Sequence, residues 1–159
     1  MNIRLRFVAG KDDISIAIIL RSQIAMPFTP SHVEAVRPDG KYIGQHLRGG
    51  MQAREPGYDK DILAHELFVD LPATVEQSDS FYAFVNSKIG APYDWASIID
   101  YVLPVDFHLF GDAICSATME LGMRAQPAPY LHWPVTAPAH LISPRDLLLM
   151  LSCLVEIPH

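Results

Sequence analysis

Residues 31–46 read SHVEAVRPDGKYIGQH, two short β-prone runs on either side of Pro38-Asp39-Gly40. Asp-Gly between such runs is a strong hairpin signal, because a tight turn needs residues that accept positive φ. The expected strands are 31–36 and 41–46. With the turn centred on Asp39, His32 and His46 each stand seven residues from the centre and face one another. A slip of one residue would put Gln45 there instead, since side chains alternate faces along a strand. An antiparallel sheet carrying His32, packed against helices in an α+β fold, follows from this reading.

Working outward, Ile3, Leu5 and Phe7 alternate with Arg4 and Arg6, which predicts a strand with one wet face. Asp12 or Asp13 caps a short helix through Arg21, and Met26-Pro27-Phe28-Thr29-Pro30 breaks it. A strand is expected over 51–54. Another is expected over 61–69, apolar at odd and even positions alike and so buried on both faces. Residues 73–88 read as an amphipathic helix with Tyr82, Val85 and Ile89 on one stripe. Asp94 caps a further helix over 95–102, and residues 126–138 form an ordered loop over the body. Ser143-Pro144 opens a last helix, with Ser as N-cap and Pro in the first turn. No repeat or linker interrupts the chain, so residues 1–159 make one domain.

The chemistry centres on Cys115. It follows Gly111-Asp112 and opens a run in which Ile114, Ala117 and Leu121 recur at helical spacing. A thiol on a helix's first turn sits beside unpaired N–H groups and the positive end of the dipole, and both favour the thiolate. A nucleophilic cysteine also needs a base and a third polar group to orient that base. His32 and His46, or Gln45 in the slipped register, are the candidates. Cys153 lies in an apolar run, LLLMLSCLV at 147–155, and is expected to be buried and unpaired.

Gly90-Ala91-Pro92-Tyr93-Asp94-Trp95 followed by Ile114-Cys115-Ser116 resembles the Gly-x-Pro-Tyr-x-Trp … Cys-Ser signature of NlpC-type papain-like cysteine hydrolases. Here the Ser-His-Val-Glu run precedes the cysteine. That order is similar to the circularly permuted branch, the YiiX-like amidases and relatives of lecithin retinol acyltransferase. The resemblance implies a permuted papain-like fold with Cys115 as nucleophile, His32 as base and His46 as the third polar residue. It also implies that Tyr93 lines the substrate site, with Ser116 and Gln45 as further substrate-contact candidates. The implied reaction is cleavage of an amide or ester in a small peptide or acyl substrate, through an acyl-enzyme and without a cofactor. A non-catalytic phage or envelope accessory protein and an acyltransferase are the alternatives.

Composition narrows the partners. The net charge of −6 argues against nucleic acid, because phosphate binding needs a basic footprint. No apolar run approaches the roughly 20 residues of a membrane span. Nothing at the N-terminus reads as an export signal, so a cytoplasmic location is expected, with phage-associated delivery as a possible route. Two cysteines in a reducing compartment are read as free thiols. The histidines lack a His-x-x-x-His or zincin spacing, so no metal site is expected. Oligomeric state has no signature in the chain.

Overall fold

The alternation of apolar and basic residues at the N-terminus becomes strand β1, Asn2–Gly10, the second-from-edge strand of a five-stranded sheet. In the computed structural model of the chain, residues 2–21, 28–46, 48–92, 115–131 and 142–155 are described. They form β1, α1 (Asp13–Arg21), β2 (His32–Val36), β3 (Tyr42–His46), β4 (Gly50–Arg54), β5 (Leu63–Pro72), α2 (Val75–Ser87), α3 (Cys115–Met123) and α4 (Pro144–Ser152). The sheet order is β4-β3-β2-β1-β5 with every neighbouring pair antiparallel. The fold is α+β. Among the described residues no helix is long and apolar enough to cross a membrane.

The hairpin register is the expected one. Ala35 pairs with Ile43 and Val36 with Tyr42, which keeps Asp39 at the centre. Period-two alternation then sorts the sheet into two faces. Ile3, Leu5, Phe7, Val33, Ala35, Ile43, Met51, Val69 and Leu71 point to one side, where they are buried with Phe81, Val85, Met119, Met123, Leu147 and Leu151 of the helices. Arg4, Arg6, His32, Glu34, Tyr42, Gly44 and His46 point to the other side.

Each helix is started by local chemistry. The Asp12 side chain accepts from the Ser15 N–H ahead of α1. Thr74 with Gln77 and Ser143 with Asp146 form capping boxes on α2 and α4. The Tyr82 hydroxyl on α2 donates to Val36 O at 2.7 Å and accepts from the Arg4 N–H at 3.2 Å, tying the helix to the sheet. Residues 126–131, the described part of the expected loop, lie against α2 through Ala128 N–H to Ser80 and Gln77 to Pro129.

Three expectations change. β5 is not buried on both faces; His65, Glu66, Asp70 and Pro72 are exposed, because only one side of this edge strand meets the helices. Ile89 lies beyond the end of α2 and is 44% exposed, so it falls off the Tyr82–Val85 stripe. Cys153 is free, as expected, but exposed. The buried face of α4 is Leu147, Leu148 and Leu151, and Cys153 follows at the C-cap, turned off that stripe. A continuous apolar run still presents one face when it coils. The expected helix at 95–102 lies outside the described residues.

Candidate active site

The β2–β3 ladder holds at Ala35–Ile43 and Val36–Tyr42 and is not continued towards His32. N–H groups alternate sides along an antiparallel strand, so Val33 turns its N–H the same way as Ala35, towards β3. There the sulfur of Cys115, at the start of α3, accepts it. The N–H of Ser116 is a second donor to the same sulfur.

His32 completes the pair. It stands at the first position of β2 and hydrogen-bonds the Cys115 sulfur. Burial opposes charge on both groups, but their mutual attraction outweighs it. The Cys115 thiol is pushed down, helped by the two backbone N–H donors. His32 is raised from 6.5 to about 10 against the cost of burial, first by the Cys115 anion and then by Glu34. Each group thus favours the charged form of the other, thiolate on Cys115 and imidazolium on His32. The His32 side chain keeps 21% of its surface exposed and Cys115 keeps 6%.

Behind His32 stands a buried polar network that sequence reasoning did not single out. Glu34, fully buried, places Oε1 3.6 Å from His32 Nε2. Tyr58 donates its hydroxyl to the same oxygen at 2.8 Å, and Arg6 Nη1 donates to Oε2 at 2.8 Å. Arg6 also donates through Nε to Glu66 at 2.7 Å and reaches Asp59 at 2.9 Å, with its guanidinium 4.6 Å over the Tyr42 ring. Glu34 is held down at about 2 although burial works the other way, because His32, Tyr58 and Arg6 all favour its anion. The signal for Glu34 was present: His-x-Glu on a strand puts both side chains on one face.

His46 comes opposite His32, as the register predicts, with ring centroids 5.6 Å apart. Its Nε2 lies 3.6 Å from Glu34 Oε1, so the carboxylate stands between the two histidines. The ring packs edge-on against Tyr58 at 5.0 Å. Burial, then the charge of His32, lowers its pKa to about 3, so it is neutral. The Nε2 atoms of His32 and His46 are both buried without a hydrogen-bond partner. Gly44 makes room for this arrangement. A Cβ there would stand 2.9 Å from Glu34 Cγ and 3.1 Å from His32 Nε2.

The remaining sequence candidates separate. Gln45 points to the apolar face, buried, with Oε1 unpaired. The Ser116 hydroxyl is buried and donates to Ile142 O, which ties α3 to the entry of α4. Gly90 N–H donates to Met51 O at 2.8 Å and Met51 N–H to Ala91 O at 2.9 Å, which sets the Gly-Ala-Pro stretch against β4 beside Gly50, the partner of His46. Tyr93 lies outside the described residues. No protein-family model, curated protein or solved structure matches the chain.

Proposed function

We propose that the protein is a cysteine hydrolase that cleaves an amide or ester bond through an acyl-enzyme, in a permuted papain-like arrangement. The observation that carries this reading is the hydrogen-bonded Cys115–His32 pair at the start of α3, with the thiol pushed down and the imidazole raised. A structural cysteine gains nothing from a buried imidazolium beside it; a nucleophile does.

Cys115 as thiolate attacks the carbonyl carbon and forms the C–S bond. The backbone N–H of Cys115 at the helix start donates to the developing oxyanion. His32 gives its proton to the leaving amine or alcohol as the tetrahedral intermediate collapses. It then takes a proton from the water that attacks the thioester, and the acid product leaves as the thiolate returns. Glu34 orients the ring and stabilises its charge. In this reading the orienting role expected of His46 passes to Glu34, which lies between the two rings and is itself clamped by Arg6 and Tyr58. Small peptide or acyl compounds are the proposed substrates. Free thiols at Cys115 and Cys153 suit a reducing, cytoplasmic location.

The test is to incubate the protein with p-nitrophenyl esters of increasing acyl length and read the intact mass. An acyl adduct on Cys115 that hydroxylamine removes, absent in Cys115→Ala and slowed in His32→Ala, supports the hydrolase. A wild-type protein that forms no Cys115 adduct refutes it. An added amine that captures the acyl group would redirect the assignment to acyl transfer.

A further inference from the structure

We propose that His32, Glu34 and His46 form a site for a divalent transition metal, with Zn²⁺ the ion their chemistry fits best. Nε2 of His32 and Nε2 of His46 are buried and unpaired, and each lies 3.6 Å from Glu34 Oε1. That separation is too long for a hydrogen bond, which wants roughly 2.7–3.2 Å. It is close to the edge of a tetrahedron built on zinc bonds of about 2.0–2.2 Å, an edge of roughly 3.4 Å. All three donor atoms lie within 4.8 Å of one another. The His46 side chain is only 10% exposed, and a buried nitrogen without a partner loses hydrogen-bond free energy that a ligand restores.

The surroundings suit a cation. Arg6 sets one guanidinium among the carboxylates of Glu34, Asp59 and Glu66, so the cluster stays anionic when His32 gives up its proton. Arg6 and Tyr58 orient the Glu34 carboxylate from outside, as groups around a metal ligand do. Gly44 keeps the space between the three ligands free, since a Cβ there would come 3.1 Å from His32 Nε2 and 3.2 Å from Glu34 Oε1. Two imidazoles and one carboxylate form a three-ligand zinc set with a fourth position open to water. Calcium or magnesium would call for more oxygen ligands. A metal on His32 Nε2 would displace the proton that this nitrogen carries in the imidazolium, releasing it to solvent, and would take the ring out of proton cycling, so occupancy would silence Cys115. This consequence rests on the hydrolase reading; the site itself does not.

The experiment reads binding and not turnover. Zn²⁺ is titrated into the protein against a chromophoric chelator, and Co²⁺ is followed by visible absorption. One ion per chain is expected, with a four-coordinate Co²⁺ spectrum lacking a thiolate charge-transfer band. Affinity should fall at least roughly tenfold in His46→Gln and persist in Cys115→Ala. A wild-type chain that binds no ion, a His46→Gln variant that binds as tightly, or loss of binding in Cys115→Ala overturns the proposal. One readout needs no variant: Zn²⁺ should move the His46 imidazole resonances in a proton–nitrogen NMR spectrum. Unmoved resonances also overturn it.

Discussion

Glu34 follows His32 by two residues on β2, and its Oε1 stands 3.6 Å from the His32 Nε2 while Arg6 holds its other oxygen. A strand, not a loop, therefore sets the distance between the imidazole and the carboxylate behind it. The carboxylate is already paired, so it can steady an imidazolium without being free to take its proton.

The reactivity of Cys115 should show this pairing directly. Its thiol is pushed down by the His32 charge and the N–H groups of Val33 and Ser116, against burial. Alkylation by iodoacetamide should continue below about pH 7, where a free thiol of pKa roughly 8.5 is nearly inert. In His32→Ala the burial remains and the charge is gone, so the profile should move up to or beyond the free-thiol value. Coincident profiles would exclude His32 as the partner.

Stability should depend on pH through three groups with different signs. Glu34, held at about 2, contributes stability that is complete above about 4.5 and lost as pH falls through about 2. His46, lowered from 6.5 to about 3, stays neutral in the fold while the unfolded chain takes up a proton. Stability therefore declines as pH drops from about 6.5 to about 3. His32, raised to about 10, contributes most below 6.5 and loses that contribution as pH rises through about 10. Urea midpoints between about pH 7 and pH 4 should fall less steeply in His46→Phe than in wild type. Parallel slopes would mean that His46 is not held neutral.

The two arginines of β1 should behave differently on truncation. Arg4 meets Asp70 at 3.6 Å with about half of each side chain in water, so Arg4→Met should change stability by roughly 0–1 kcal/mol. Arg6 is buried, and Arg6→Met would leave Glu34 and Asp59 buried without their cation. Loss of one partner in such a cluster costs about 3–5 kcal/mol. Urea unfolding of both variants, with equal losses, would contradict this ordering.

Gly44→Ala tests the space beside His32. The added methyl would meet Glu34 and His32 at 2.9–3.1 Å, so one of them must shift. The expected result is a folded protein, by circular dichroism, whose Cys115 alkylation profile moves towards that of His32→Ala. A wild-type profile would show that the site gives way at no cost.

Much of this molecule is written in local patterns. Asp39-Gly40 set the hairpin centre, and with it the placement of His46 opposite His32, because turn chemistry and strand register are short-range. Ser143-Pro144 marked the start of α4 for the same reason. The cluster around Arg6 was not legible. Its members come from β1, β2, β5 and the 55–62 connection, and no spacing rule relates positions 6, 34, 59 and 66. The donors of the proposed metal site were hidden likewise, since the spacing rules search along one helix and these ligands lie across two strands. The apolar runs at Cys153 and β5 do not say which side is covered, because each element turns one side to the core.

The early end of the β2–β3 ladder has a consequence for motion. The Val33 amide is directed to the Cys115 sulfur and favours its anion, while Ala35, two residues on, sits within the ladder. A thioester or alkylated sulfur is a poorer acceptor than a thiolate. The Val33 amide would then trade its proton with solvent faster whenever Cys115 carries an acyl group, and Ala35 would not. Amide exchange at this one position would make the sheet a recorder of what the Cys115 sulfur carries.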